Sequence, residues 1–335
     1  MFDGFQSALV GRGGSSGHRS IRRAGGPQLR RLGTSTLVVA TALSVSIVVT
    51  APTSASASPR RSTIEAGPGG TFIPAPFPPA RTPSRAPEFS PNIHDVVVAS
   101  SNWSGYAQSA KTKGLFTAVT DTWKVPTVST TPSGSQYASD WVGIGGYSDR
   151  TLVQAGTDSD NINGTAQYDA WTEILPAPSV NLPMTISPGD SITTVVRETS
   201  PGIWLMQVTD NTTSVTKSQT VSYASSGKSV EAIHEATSIC SARCTVATLA
   251  TTTNVTFDPG SYTSNLQPSY QPLLVPAIQK KKVTKKRVTT QYAKLDELVM
   301  VSKTDATIAT PSSPDSDNDG FTVADGAVPP APPSS

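Results

Sequence analysis

The chain of 335 residues is 36% hydrophobic and only 15% charged, with 25 Gly, 28 Pro and two Cys. That length holds one large domain with flanking segments, and few charges combined with abundant Thr, Ser and Val exclude a helical bundle and favour an all-β fold. With 26 Lys and Arg against 24 Asp and Glu the formal net charge is +2, so composition makes no case for nucleic acid or an acidic partner.

At the start, Arg12, Arg19, Arg22, Arg23, Arg30 and Arg31 precede an apolar run from Leu37 to Thr50 and the small residues Ala55-Ser56-Ala57. Basic, apolar and A-x-A in that order read as a secretory signal, and the run is short for a membrane span. Residues 1–57 are therefore expected to be a signal peptide cleaved after Ala57, giving a secreted, extracellular product with no stable membrane partner. The twin arginines leave a folded-export route open. Residues 58–92 are rich in Pro and Gly, as in Ile73-Pro74-Ala75-Pro76, without apolar periodicity. An extended or disordered propeptide and a linker both fit this composition. Short apolar stretches separated by turn signals then place one domain at 93–328, followed by a Pro-rich tail at 329–335.

Within that domain the clearest hairpin joins Ser191–Thr199 to Ile203–Thr209 through Ser200-Pro201-Gly202. Repetition of such units predicts an antiparallel β-sandwich, with no helix longer than a turn or two.

Strand side chains alternate between faces, so residues of equal parity point the same way. Gln154 and Asp158 share a face in 152–158, Asp169, Trp171 and Glu173 in 168–174, and Glu231 and Glu235 in 230–235. Solvated outer faces of a sandwich look like this. Trp171 between two carboxylates is a poor choice for such a face, however, and Trp141 shares parity only with Gly143 and Gly145. An indole above a glycine floor suits a groove for a polymer, peptide or polysaccharide.

At these residues the chain resembles the glutamic peptidases, the eqolisin family. The blocks that carry the resemblance are Ser101-Asn102-Trp103-Ser104-Gly105, Val125-Pro126, Trp141-Val142-Gly143-Ile144 and Leu152-Val153-Gln154-Ala155-Gly156, then Tyr168-Asp169-Ala170-Trp171-Thr172-Glu173, Gly189-Asp190-Ser191-Ile192 and Glu231-Ala232-Ile233-His234-Glu235. The resemblance implies an all-β antiparallel sandwich, concanavalin-like or jelly-roll-like, with a concave active-site sheet. It implies a catalytic pair at Gln154 and Glu235, with Trp141, Asp158, Asp169, Trp171, Glu173 and Glu231 as groove and supporting positions. It also implies secreted endopeptidase activity on polypeptide substrates, without cofactor or metal, by a monomer. Two positions depart from the pattern: Gly145 stands where the family's type member has Asp, and Ala232 where the family often has an aromatic.

Hydrolysis of a peptide by water needs a base for the water, an acid for the leaving amine and a donor for the oxyanion. By this resemblance Glu235 is base and then acid, and Gln154 orients water and donates its amide N–H. A glutamate of ordinary pKa, about 4.3, places activity at roughly pH 3 to 5, and the absence of an aspartate pair implies insensitivity to pepstatin.

Rival chemistries are weaker. Of the three His, His18 lies in the signal, His94 at the domain edge, and His234 adjoins Glu235 and so faces the other way, which leaves no Ser-His-Asp triad. Cys240 and Cys244, the two thiols of a chain read as exported, favour a local disulfide over a nucleophile or metal site. Asp315-Ser316-Asp317-Asn318-Asp319-Gly320 resembles the start of a calcium loop but has Gly326 where such a loop ends in Glu, and reads as a polar turn before a strand at Phe321–Ala324. The basic run from Lys280 to Arg287 reads as a solvated loop or edge guard. The serious alternative is a non-catalytic, carbohydrate-binding (lectin-like) sandwich, for which Gln154 would have no need.

Overall fold

The computed structural model describes residues 96–335 apart from Ser133, Ser241, Ala242, Arg243 and Lys286. The expected signal peptide, the Pro- and Gly-rich segment, His18 and His94 lie outside the described residues. Among the described residues there are strands and no helix. The strands begin with β1 (Val96–Ser100), β2 (Trp103–Ser109), β3 (Phe116–Lys124), β4 (Ser139–Gly145), β5 (Leu152–Ile162), β6 (Thr165–Ile174) and β7 (Val180–Asn181). They continue with β8 (Ser191–Ser200), β9 (Ile203–Asp210), β10 (Val215–Ser222), β11 (Ser229–Glu235), β12 (Ser238–Cys240), β13 (Cys244–Val246) and β14 (Val255–Phe257). Last come β15 (Ser261–Ser264), β16 (Gln267–Pro272), β17 (Ile278–Val283), β18 (Val288–Tyr292), β19 (Lys294–Val301), β20 (Thr307–Pro311) and β21 (Phe321–Asp325).

One layer runs β1-β19-β2-β11-β4-β5-β6-β7, antiparallel except for the parallel β1–β19 pair. The other runs β10-β9-β8-β3-β15-β16, and β14, β21 and β20 link β3 back to β19. The expected hairpin is β8–β9, with Gly202 at φ 73° in its turn, a conformation that costs glycine little. Alternation in β9 is regular, so Trp204, Met206 and Val208 enter the core while their neighbours stay part-exposed.

The core between the layers contains Phe116, Val119, Trp123, Val142, Ile144, Ile192, Phe257 and Phe321, with the Phe257 and Phe321 rings stacked at 5.0 Å. A buried aromatic ring removes on the order of 150–250 Å² from water, an upper bound of about 4–6 kcal/mol each, which is what holds the two sheets face to face. His234 points into this side, as alternation requires, and its Nδ1 lies 2.7 Å from Asp140 Oδ1 with both side chains buried. Ser104 is opposite His234 in register, so serine, histidine and aspartate share a row; all three are sealed in the interior, where no substrate reaches them.

The basic run forms its own two-stranded hairpin, β17–β18, with Lys280, Lys281 and Lys282 facing Gln291, Thr290 and Thr289. Cys240 and Cys244 are directly opposed in the β12–β13 hairpin.

Candidate active site

The outer face of the first layer is built by register. One row across β2, β11, β4, β5 and β6 holds Trp103, Glu235, Ser139, Asp158 and Asp169. The next holds Gly105, Ile233, Trp141, Gly156 and Trp171, and the third Ala107, Glu231, Gly143, Gln154 and Glu173. The carboxylates, Gln154, Trp141 and Trp171 that parity singles out therefore lie on one face, the polar residues in two rows that flank the row of Trp141 and Trp171.

Glu235 is held from both sides. Asn102 Nδ2 donates to its Oε1 and Trp141 Nε1 to its Oε2, each at 2.8 Å, and the Trp103 indole adds a further donor. Burial nevertheless pushes the Glu235 carboxyl up to about 7, the three donors opposing the shift and Asp158 adding to it. Asp158 receives the Trp171 indole at 2.7 Å and the Ser139 hydroxyl at 2.5 Å. Its own pKa is raised, first by burial and then by Asp169 and Asp140. Asp169, half-buried, accepts from Gln167 Nε2 at 3.0 Å.

Gln154 Nε2 donates to Glu173 Oε2 at 2.5 Å, while Gln154 Oε1 is buried without a protein partner. Burial raises Glu173 to about 8, the amide of Gln154 opposing and the charge of Glu235 adding to it. That last contribution brings Glu235 within electrostatic reach of the Gln154–Glu173 pair. Glu231 belongs to a different neighbourhood. It is fully buried beside Tyr147 and Ser229 and is raised well above its ordinary value, by burial first and Asp149 next. Tyr147, Leu152, Leu175 and Leu298 cover this face of the sheet, so it is not a solvated outer face.

The glycine floor is not open to a ligand. A methyl at Gly143 would come within 2.8 Å of Leu152 Cδ1 and 3.0 Å of Trp141 Cζ3, and one at Gly156 within 2.6 Å of Trp141 Cβ. These glycines make room for neighbouring side chains, which fixes the Trp141 ring where its N–H meets Glu235. Gly145 has φ 87° and a side chain there would strike the Thr151 carbonyl, so the backbone itself accounts for the absence of an aspartate. Ala232 packs in the core between the layers.

Parity missed Asn102, which lies outside any strand between β1 and β2. Its backbone carbonyl accepts from Ala236 N–H at 2.9 Å, tying that corner to the end of β11. Its position beside Trp103 in a short recognisable block was the available signal.

The sequence profile described as the Peptidase A4 family matches residues 101–302, more than half of the chain. The chain belongs to the peptidase A4 family. Aspergillopepsin-2 of Aspergillus niger is 36% identical over 121 residues, 30% of this chain and 42% of that relative, so the match spans less than half of the relative's length. A crystal structure of scytalido-glutamic peptidase with a transition state analog inhibitor superposes with a TM-score of 0.51 at 23% identity, covering 67% of this chain and 98% of that one. A second, with a peptide based transition state analog, gives the same figures. These two likenesses establish the shared β-sandwich fold. For this peptidase A4 member the resemblance drawn from the sequence blocks thus holds at the level of family and fold.

Proposed function

We propose that this chain is an endopeptidase in which Glu235 takes a proton from the attacking water and Gln154 donates an amide hydrogen to the oxyanion. One observation carries the reading: a carboxylate gripped by two indoles and an amide shares a face, and an electrostatic field, with a glutamine paired to a second carboxyl. The water oxygen bonds to the carbonyl carbon as Glu235 accepts the proton; Glu235 then returns it to the amide nitrogen as the C–N bond breaks and the carbonyl re-forms.

Glu173 acts as a positioning residue. With its pKa raised to about 8 it carries a proton below that pH and becomes a donor. Turning the Gln154 amide over then gives the partnerless Oε1 a donor and frees Nε2–H for the oxyanion. Above about pH 8 the ionised Glu173 recaptures Nε2–H and activity falls. The acid limb follows the ionisation of Glu235, and because burial raises its pKa the limb lies at roughly pH 5 to 7, above the range of an ordinary glutamate.

Export with loss of residues 1–57, removal of 58–92, a Cys240–Cys244 disulfide across β12–β13 and a monomeric state complete the proposal. Digestion of casein by the purified chain over pH 3 to 8, with and without pepstatin, tests it. Cleavage unaffected by pepstatin is expected. Absence of cleavage with retention on a polysaccharide column would favour the lectin-like alternative.

A further inference from the structure

The segment 315–320, read from sequence as a polar turn, does not stand alone. Asp315 and Asp319 converge with Asp258 from the loop between β14 and β15, one carboxylate oxygen from each lying within 4.8 Å of the others. Asp317 adjoins both Asp315 and Asp319. The two ion pairs among the described residues lie elsewhere, at His234 and Lys294.

Two deeply buried oxygens point to a missing ligand. Asp121 of β3 is 0% exposed and Asp315 6%, and Oδ2 of each has no protein partner. Gly260 separates Asp121 from the loop: a methyl there would lie 2.5 Å from Asp121 Oδ2 and 3.0 Å from the Asp319 carbonyl. A methyl at Gly320 would overlap Asp315 Oδ2 and come within 2.9 Å of Asp258 Cγ. Gly320 thus leaves space for the Asp315 and Asp258 carboxylates to approach one another, and Gly260 for the Asp121 carboxylate to approach the Asp319 carbonyl. The loop is also held in shape without them, by Asp319 N–H donating to Asp315 Oδ1 at 3.1 Å and Asp315 N–H to the Gly320 carbonyl at 3.0 Å. Turn formation therefore does not explain the two idle oxygens.

We propose that Asp258, Asp315 and Asp319, with Asp317 at the rim and Asp121 behind, bind one calcium ion that fastens the segment before β21 to β3 and the β14–β15 loop. The spacing Asp-x-Asp-x-Asp-Gly supplies the first half of a calcium loop, and Asp258 supplies from another loop the carboxylate that Gly326 cannot. Oxygens 2.3–2.6 Å from one ion span about 4.6–5.2 Å, which accommodates the observed separation. All-oxygen donors without His or Cys favour a hard cation, and carboxylates gathered from two loops suit the flexible shell of calcium better than the strict octahedron of magnesium.

The full chain, stripped with EDTA at pH 7, is titrated with calcium chloride or magnesium chloride to about 10 mM, followed by calorimetry and thermal unfolding, alongside Asp258→Asn/Asp319→Asn. One calcium per chain and a Tm rise of roughly 3 to 10 °C are expected for the wild type, from the mass-action stabilisation at ten to a hundred times Kd. The double variant should lose both, and in EDTA should melt above the wild type because two repelling charges are gone. No heat and no shift in the wild type would overturn the site and return the segment to a plain turn. A shift that persists in the double variant would also overturn it, and one matched by magnesium would overturn the choice of calcium. The wild-type titration decides the matter even if the double variant fails to fold.

Discussion

Carboxylates are buried in two places in this molecule, with different partners. On the face formed by β11, β4, β5 and β6, Glu235, Asp158 and Glu173 each receive neutral donors: indoles, an amide or a hydroxyl. At the loops around Asp258, Asp315 and Asp319 the neighbours are mostly other carboxylates, and two oxygens receive nothing. Neutral donors let a group exchange protons while staying fixed, which suits a base that must be both ionised and protonated within one cycle. A like-charged cluster with few donors is strained at neutral pH, and a bound cation would relieve that repulsion. Under the two proposals, the first arrangement serves a reaction and the second a fastening.

Substitutions at the face should separate the two regions most strongly. Glu235→Gln and Gln154→Ala are expected to lower kcat on a peptide substrate by roughly a hundred- to a thousand-fold, with KM little changed, since each removes an interaction made chiefly in the transition state. Retention of activity in both would break the assignment, while the calcium response of the loops should remain intact in either variant.

A smaller effect is expected at Glu173. Its replacement by Ala should reduce kcat about ten-fold, the scale of one lost hydrogen bond to a reacting group, and should abolish the alkaline limb near pH 8. Glu173→Gln, which keeps a donor, should restore most of the rate. Glu231→Gln serves as the control within this pair. Although Glu231 shares the face, it is enclosed beside Tyr147, and the shift at Glu235 traces to burial and Asp158, so the pH profile should not move.

The smallest effect concerns stability against pH. Glu235, Glu173, Asp158, Asp121 and Glu231 all have raised pKa values, as does His234, where Asp140 outweighs the opposing effect of burial. The folded state thus holds protons that the unfolded chain has released. Stability is fully present below the unfolded values and is lost as pH rises through the folded ones. In EDTA, Tm should fall by a few degrees between pH 5 and pH 8, read by scanning calorimetry. A Tm that rises over that interval would show that these groups are not buried as described.

Much of this was legible in the chain. Because side chains alternate with a period of two, spacing alone places Gln154, Asp158, Trp171, Glu173, Glu231 and Glu235 on faces of their strands, and turn residues alone mark the β8–β9 hairpin. These are local properties, determined by a few bonds of backbone geometry. The short blocks pointed to the family because their order along the chain is also a property of sequence alone.

What tertiary structure decided is which residues from distant segments share a neighbourhood. Asn102 reaches Glu235 across 133 positions, and Asp258 joins a loop more than fifty positions onward, as the pairing of β14 with β21 dictates. Glycines that read as an open floor turned out to be filled by Leu152 and Trp141, and Gly145 to be required by its own φ. Register between strands, and therefore burial and proton affinity, comes from long-range packing, in which a residue's partners are chosen by the whole sheet and not by its neighbours in the chain.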